Sequence, residues 1–172
     1  TTLREVEMKG TVLIRKEAFY NCTKLGQVKL PGTTNFIGRR AFAQCKSLER
    51  VEIDDGSICR EVKAEAFAGC INLKHIALPA TIARIERQAF YKCTALEHID
   101  LPDGLREIEA EAFYQNALTS LELPEGLLKI GDSAFLKCNR LEYAAVPSTV
   151  KIIEKWAFHG CNRLKVLEIG HD

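Results

Sequence analysis

The dipeptide Ala-Phe returns at Ala18-Phe19, Ala41-Phe42, Ala66-Phe67, Ala89-Phe90, Ala112-Phe113, Ala134-Phe135 and Ala157-Phe158, at intervals of 23, 25, 23, 23, 22 and 23 residues. Seven of the eight phenylalanines fall in this one register, which ties the whole chain to a repeat architecture. Other columns keep step. Three residues after each Phe stands Cys22, Cys45, Cys70, Cys93, Asn116, Cys138 or Cys161. A leucine follows in every unit (Leu25, Leu48, Leu73, Leu96, Leu118, Leu141, Leu164), and then an apolar pair spaced by two, from Val28 and Leu30 to Leu167 and Ile169. All five prolines directly follow the second member of that pair. Five residues before each Phe lies Ile14, Ile37, Val62, Ile85, Ile108, Ile130 or Ile153. The unit is L-x-x-I-x-L-P…I-x-x-x-A-F-x-x-C.

Elementary geometry says what such a unit does. Val28 and Leu30 alternate with Gln27 and Lys29, so one pair faces inward and the other outward along a short strand. A single unit of this length buries no core alone; stacked units do, with parallel strands about 4.8 Å apart. Proline lacks an N–H and ends the ladder at the same place in each rung. The Ala-Phe pair sets a small residue beside a large core filler at a tight helical turn, and burying each ring contributes roughly 1.5–3 kcal/mol.

This unit, with its A-F-x-x-C turn, resembles the leucine-rich repeat of the BspA-like class, and the resemblance covers the whole chain. It implies a right-handed, curved leucine-rich repeat solenoid, with a parallel β-sheet on the concave side and short helical turns or short strands on the convex side. The expected organisation is a single domain over residues 1–172, about seven repeats plus an N-terminal strand. Neither Leu3-Arg4-Glu5-Val6-Glu7-Met8 nor Leu167-Glu168-Ile169 reads as a polar cap, so the chain is expected to be part of a longer array or to meet neighbouring subunits at its ends.

Two irregularities stand out. The unit from Ile53 to Phe67 is two residues longer than its peers and carries Asp54-Asp55-Gly56-Ser57 in place of proline, which predicts a bulge in the loop leaving that strand. The fifth unit is one residue short between Phe113 and Leu118, and there Asn116 takes the cysteine's place, where it is expected to bond backbone groups.

The cysteines form no C-x-x-C pattern or paired zinc spacing. Cys22, Cys45, Cys70, Cys93, Cys138 and Cys161 share one repeat position, and stacking sets their sulfurs about 4.8 Å apart, far beyond the roughly 2.05 Å of a disulfide. The column, with Asn116, reads as structural: thiols that fill space and bond the turn backbone. Asn21-Cys22-Thr23 matches the glycosylation triplet, yet its central residue belongs to that inward column.

Charge narrows the function. Twenty-four Lys and Arg against 23 Asp and Glu leave a net charge of +1, with no basic stripe to follow a nucleic acid backbone. No apolar stretch approaches the roughly 20 residues of a membrane span. There is no Gly-rich phosphate loop, metalloprotease motif or Ca²⁺ loop, and the cysteines are committed to the core. The chain is therefore expected to be non-catalytic, with no cofactor and no metal; His75, His98 and Asp100 form too small a ligand set to carry one.

The outward strand positions form two columns. The first runs Glu5, Gln27, Arg50, His75, His98, Ser120, Tyr143, Val166; the second runs Glu7, Lys29, Glu52, Ala77, Asp100, Glu122, Ala145, Glu168. Two basic residues against six acidic ones make this concave face acidic within a nearly neutral chain. Tyr143 beside Ala145 and Val166 is an aromatic anchor with room around it. The expected function is protein–protein recognition of a basic partner on this face, with Gln27, Lys29, Arg50, Glu52, His75, His98, Asp100, Ser120, Glu122 and Tyr143 as contacts. The alternative is a structural scaffold subunit that docks through its ends or through a convex face carrying Tyr20, Tyr91 and Tyr114. Resemblance to the BspA-like class implies a cell-surface or secreted location, while unpaired cysteines also suit the cytoplasm.

Overall fold

The computed structural model describes residues 2–10, 12–54 and 56–170. Among them run fourteen short strands: β1 (Glu5–Glu7), β2 (Val12–Ile14), β3 (Gln27–Leu30), β4 (Thr34–Ile37), β5 (Arg50–Ile53), β6 (Glu61–Val62), β7 (His75–Ile76), β8 (Arg84–Ile85), β9 (Glu107–Ile108), β10 (Ser120–Glu122), β11 (Lys129–Ile130), β12 (Tyr143–Val146), β13 (Ile152–Ile153) and β14 (Val166–Ile169). All pair in parallel, each with its equivalent one coil away, so the chain is a solenoid of about seven coils with two strand rows. The concave row contains β1-β3-β5-β7 and β10-β12-β14; the second row contains β2-β4 and β6-β8-β9-β11-β13. That second row is the Ile14-to-Ile153 column, in strands of two to four residues.

The phenylalanines form one continuous stack. Successive rings from Phe19 to Phe158 lie 5.1–5.5 Å apart and within 11° of parallel. Phe42, Phe67, Phe90, Phe113 and Phe135 are wholly buried. Around them pack the leucine column and the inward members of both strand rows.

The Ala-Phe segments are tight turns, and no helix occurs among the described residues. Three turns overlap in each coil: in the first, Ala18 N–H donates to Arg15 O, Tyr20 N–H to Glu17 O, and Cys22 N–H to Phe19 O. The third residues of the outer two turns, Glu17 and Asn21, are left-handed, as a type II turn requires. The pattern persists down the stack through Arg40 and Gln44, Gln88 and Lys92, and Lys137. Left-handed geometry lets alternate N–H groups leave the coil: Glu17, Phe19 and Asn21 donate to Arg39, Ala41 and Ala43 of the next one. Helical turns were expected here; a helix would direct those donors back into its own segment and leave the coils unjoined on this side.

The long second-to-third unit departs from a simple outward bulge. Gly56 is left-handed at φ 92° and Ile58 is exposed, but Ser57 and Cys59 turn inward. Ser57 Oγ donates to Thr34 O at 2.8 Å, and Thr81 Oγ1 donates to the Cys59 carbonyl at 2.7 Å. Asp55 lies outside the described residues.

All seven cysteines are buried and unpaired. Cys45, Cys70, Cys93, Cys138 and Cys161 donate from Sγ to the carbonyls of Phe19, Phe42, Phe67, Phe113 and Phe135 at 3.1–3.3 Å, each reaching back one coil. Asn116 Nδ2 makes the same bond to Phe90 O at 2.8 Å, but its buried Oδ1 has no partner among the described residues. A thiol there keeps the donor and removes the orphaned acceptor. Asn116→Cys is therefore expected to stabilise the chain by about 1 kcal/mol, a rise in Tm of about 2–4 °C. A lower melting temperature would contradict this account.

Burial pushes the Cys45 and Cys138 thiols up to about 12 and Cys161 up to about 11, and holds Cys70 and Cys93 above their ordinary value of 9.0 as well. These thiols should resist an aromatic disulfide reagent at pH 8 in the folded chain and all react in denaturant. The folded state keeps its thiol protons longer than the unfolded state does. Stability is thus complete below about pH 9 and is lost progressively as pH rises towards 12. Urea titrations at rising pH check the sign: a midpoint that climbs above pH 9 would refute it.

Candidate protein-binding face

The concave strands fix their outward side chains in register. Glu5, Gln27, Arg50 and His75 lie opposite one another, as do Glu7, Lys29 and Glu52. Further along, Ser120, Tyr143 and Val166 form one row, and Glu122, Ala145 and Glu168 the next. Gln27, Lys29, Arg50, His75, His98, Asp100, Ser120 and Glu122 are exposed; Glu52 and Tyr143 are half-buried.

His98 and Asp100 stand on the rung that joins the two halves of this face, and here the ladder is open. Among the described residues no backbone hydrogen bond links 75–79 to 98–102, and the one bond from this rung towards the next coil runs from Thr119 N–H to Glu97 O at 3.2 Å. The Phe stack and the second strand row continue through the same coils, with Arg84 opposite Glu107 and Phe90 5.2 Å from Phe113.

Side-chain pairing divides the face chemically. In the first half Gln27 Nε2 donates to Glu5, and Arg50 Nε donates to Glu52 Oε1 at 2.6 Å. That bond is the main reason the Glu52 carboxyl sits below its ordinary value. A cleft of about 460 Å³ opens between Arg4, Gln27, Glu49, Arg50 and His75. In the second half Tyr143 donates its hydroxyl to Glu168 Oε2 at 2.9 Å, which fixes the ring and raises the phenol's pKa. Asp100 and Glu122 enter no ion pair among the described residues, and with Ser120 and His98 they line a polar hollow of about 230 Å³. Cross-coil pairs Lys74–Glu49, Arg140–Glu97 and Lys165–Glu142 edge the face. Arg140 passes over the coil of Thr119 to reach Glu97, a contact between residues two coils apart that repeat spacing did not reveal. Among the described residues no group of three or more His, Cys, Asp and Glu side chains is placed to hold a metal.

Charged and aromatic side chains on the other surfaces also pair across coils. On the second row, Arg84 meets Glu107 at 3.2 Å, Lys129 meets Glu154 at 2.6 Å, and Lys63 binds Glu61 and Glu86. The Tyr91 and Tyr114 rings stack at 4.8 Å, and the Arg40 guanidinium lies 4.4 Å over Tyr20.

Comparison with known families settles what kind of solenoid this is. The model for the BspA type leucine rich repeat region matches residues 1–81 and 60–172, in six copies. The chain belongs to this family. A leucine-rich repeat protein from T. pallidum is 31% identical with a TM-score of 0.84, the match covering 95% of this chain and 79% of that one. Two more distant likenesses show the fold alone. One is to a leucine-rich repeat protein from Bacteroides ovatus, at 24% identity and TM-score 0.65, covering 97% of this chain and 46% of that one. The other is to a leucine-rich repeat protein from Eubacterium ventriosum, at 16% identity and TM-score 0.51, covering 84% and 48%. Comparison with the curated proteins finds no match. Leucine-rich repeat proteins generally mediate protein–protein interaction. No helix among the described residues is long and apolar enough to cross a membrane.

Proposed function

We propose that this BspA-type chain is a non-catalytic recognition module that binds a basic protein partner on its concave face. One observation carries the reading: Asp100 and Glu122 face outward without a cation, whereas the charges of the second strand row are neutralised by neighbours in the stack. Unpaired exposed carboxylates attract a cationic surface and steer it without first breaking an internal pair. Tyr143, held by Glu168 beside Ala145, supplies an anchor whose ring is ordered before contact. Arg50, His75 and His98 complete the surface, with Gln27, Lys29, Glu52 and Ser120 around them.

The test is affinity capture from the native source with the whole chain, comparing wild type with a Tyr143→Ala, His98→Ala double variant. A basic protein retained by the wild type and lost from the variant is the expected result. Equal retention by both would remove the concave face from consideration. Cross-linking of the captured pair separates the scaffold alternative, which demands contacts at the end coils or at Tyr20, Tyr91 and Tyr114 instead.

A further inference from the structure

At the strand-exit edge of the solenoid, the second inward position of the concave strand is sealed in some coils and open in others. Leu30, Leu123 and Val146 are buried there, but Ile53, Leu78 and Leu101 of three successive coils are only partly covered. A cleft of about 460 Å³ follows these three side chains, with Ala77, Pro79 and Pro102 on its walls. It coincides with the open rung. Two other rungs close the strand end with a main-chain bond, Asp54 N–H to Leu30 O at 2.9 Å and Gly170 N–H to Val146 O at 2.8 Å. Between residues 75–79 and 98–102 there is none, so both banks carry main-chain groups that the ladder does not use.

The charge along this cleft has one sign. Asp100 and Asp103 line it and make no ion pair among the described residues. The neighbouring cation, Arg106, turns its guanidinium to the main-chain carbonyls of Asp103 and Leu105.

We propose that this cleft holds an extended segment of a protein partner in which an aliphatic side chain is flanked by Lys or Arg. The aliphatic group covers Ile53, Leu78 and Leu101, the cations meet Asp100 and Asp103, and the backbone of an extended segment matches the unused polar groups of the banks. The assignment extends the concave-face reading, with which it shares Ala77 and Asp100, but Ile53, Leu78, Leu101 and Asp103 lie outside that face.

Fluorescence polarisation with two labelled pentapeptides, Lys-Val-Lys-Val-Lys and Glu-Val-Glu-Val-Glu, tests it on the whole chain. The cationic peptide is expected to bind and to weaken as salt is raised, and the acidic one to give no signal. Ala80 and Asp103 are exposed, so substitutions there leave the core intact. Ala80→Trp, which fills the cleft, and Asp103→Asn, which removes a carboxylate, should each weaken the cationic peptide, the first by about tenfold. Tyr143→Ala should leave it unchanged. Wild-type affinity in both cleft variants, equal binding of the two peptides, or no binding of the cationic one overturns the assignment. Loss with Tyr143→Ala alone would return the peptide to the concave face. Failure of the capture experiment above, with the cleft variants still impaired, would sink the concave-face reading and leave this one standing.

Discussion

Phe90→Ala should lower the unfolding free energy by about 3–5 kcal/mol. The ring is wholly buried and stacks on two neighbours, Phe67 at 5.5 Å and Phe113 at 5.2 Å. Removing it takes away apolar burial and two aromatic contacts, and leaves a void that a rigid stack closes poorly. The position sharpens the effect. In the same region the concave ladder is open, so the ring column, the second strand row and the main-chain bonds of the convex turns carry the coupling between the two halves. A solenoid is stabilised by nearest-neighbour interfaces, and weakening this one should broaden the unfolding transition as well as lower its midpoint. Phe158→Ala is the control. That ring is half-buried and has one stacked neighbour, so its truncation should cost about half as much. Denaturant titration of both variants decides the matter, and equal losses would mean that the stack does not couple the coils.

Gly131→Ala is expected to cost about 1–3 kcal/mol although it adds one methyl group. A Cβ there would stand 2.6 Å from the Glu109 carbonyl carbon and 2.7 Å from the Ala110 nitrogen. Both are backbone atoms of the coil below, and neither has a rotamer with which to retreat. The same column holds Glu86, Glu109 and Glu154 in other coils, where the N–H donates back one coil at 2.9 Å; at Gly131 and Gly38 that bond shortens to 2.7 Å. Glycine thus permits a closer approach of coils that a side chain would pry apart. Gly26→Ala, whose Cβ would find nothing nearer than 3.5 Å, should be almost neutral. A thermal melt of Gly131→Ala that matches that of Gly26→Ala would show that the coils relax freely.

The fold was legible because its determinants are side chains that recur: the Phe stack, the Cys and Asn column, and the alternation of Val28 with Lys29 all follow from inward and outward positions. The outward columns of the concave face were legible for the same reason. What the sequence concealed lies in the main chain. The left-handed positions include Glu17, Arg40, Gln88, Lys137 and Trp156, residue types that carry no turn signature; Asn21, Gly69 and Gly160 mark the conformation more openly. The open rung was equally silent. Leu96-Glu97-His98-Ile99-Asp100-Leu101-Pro102 matches the pattern of Leu118-Thr119-Ser120-Leu121-Glu122-Leu123-Pro124, yet only the second segment pairs as a strand. Apolar spacing reports which way a side chain points, whereas the distance to the neighbouring backbone depends on how adjacent coils seat against each other.

The convex turns have one more consequence. Every bond that leaves them through a left-handed residue runs in the same sense, from the N–H of one coil to the carbonyl of the next. The column is therefore a vector: its two faces are chemically unlike, as with the plus and minus ends of a filament. A coil laid on upside down would set donor against donor along this edge. Whatever seals one extremity along this edge must offer acceptors, and whatever seals the other must offer donors.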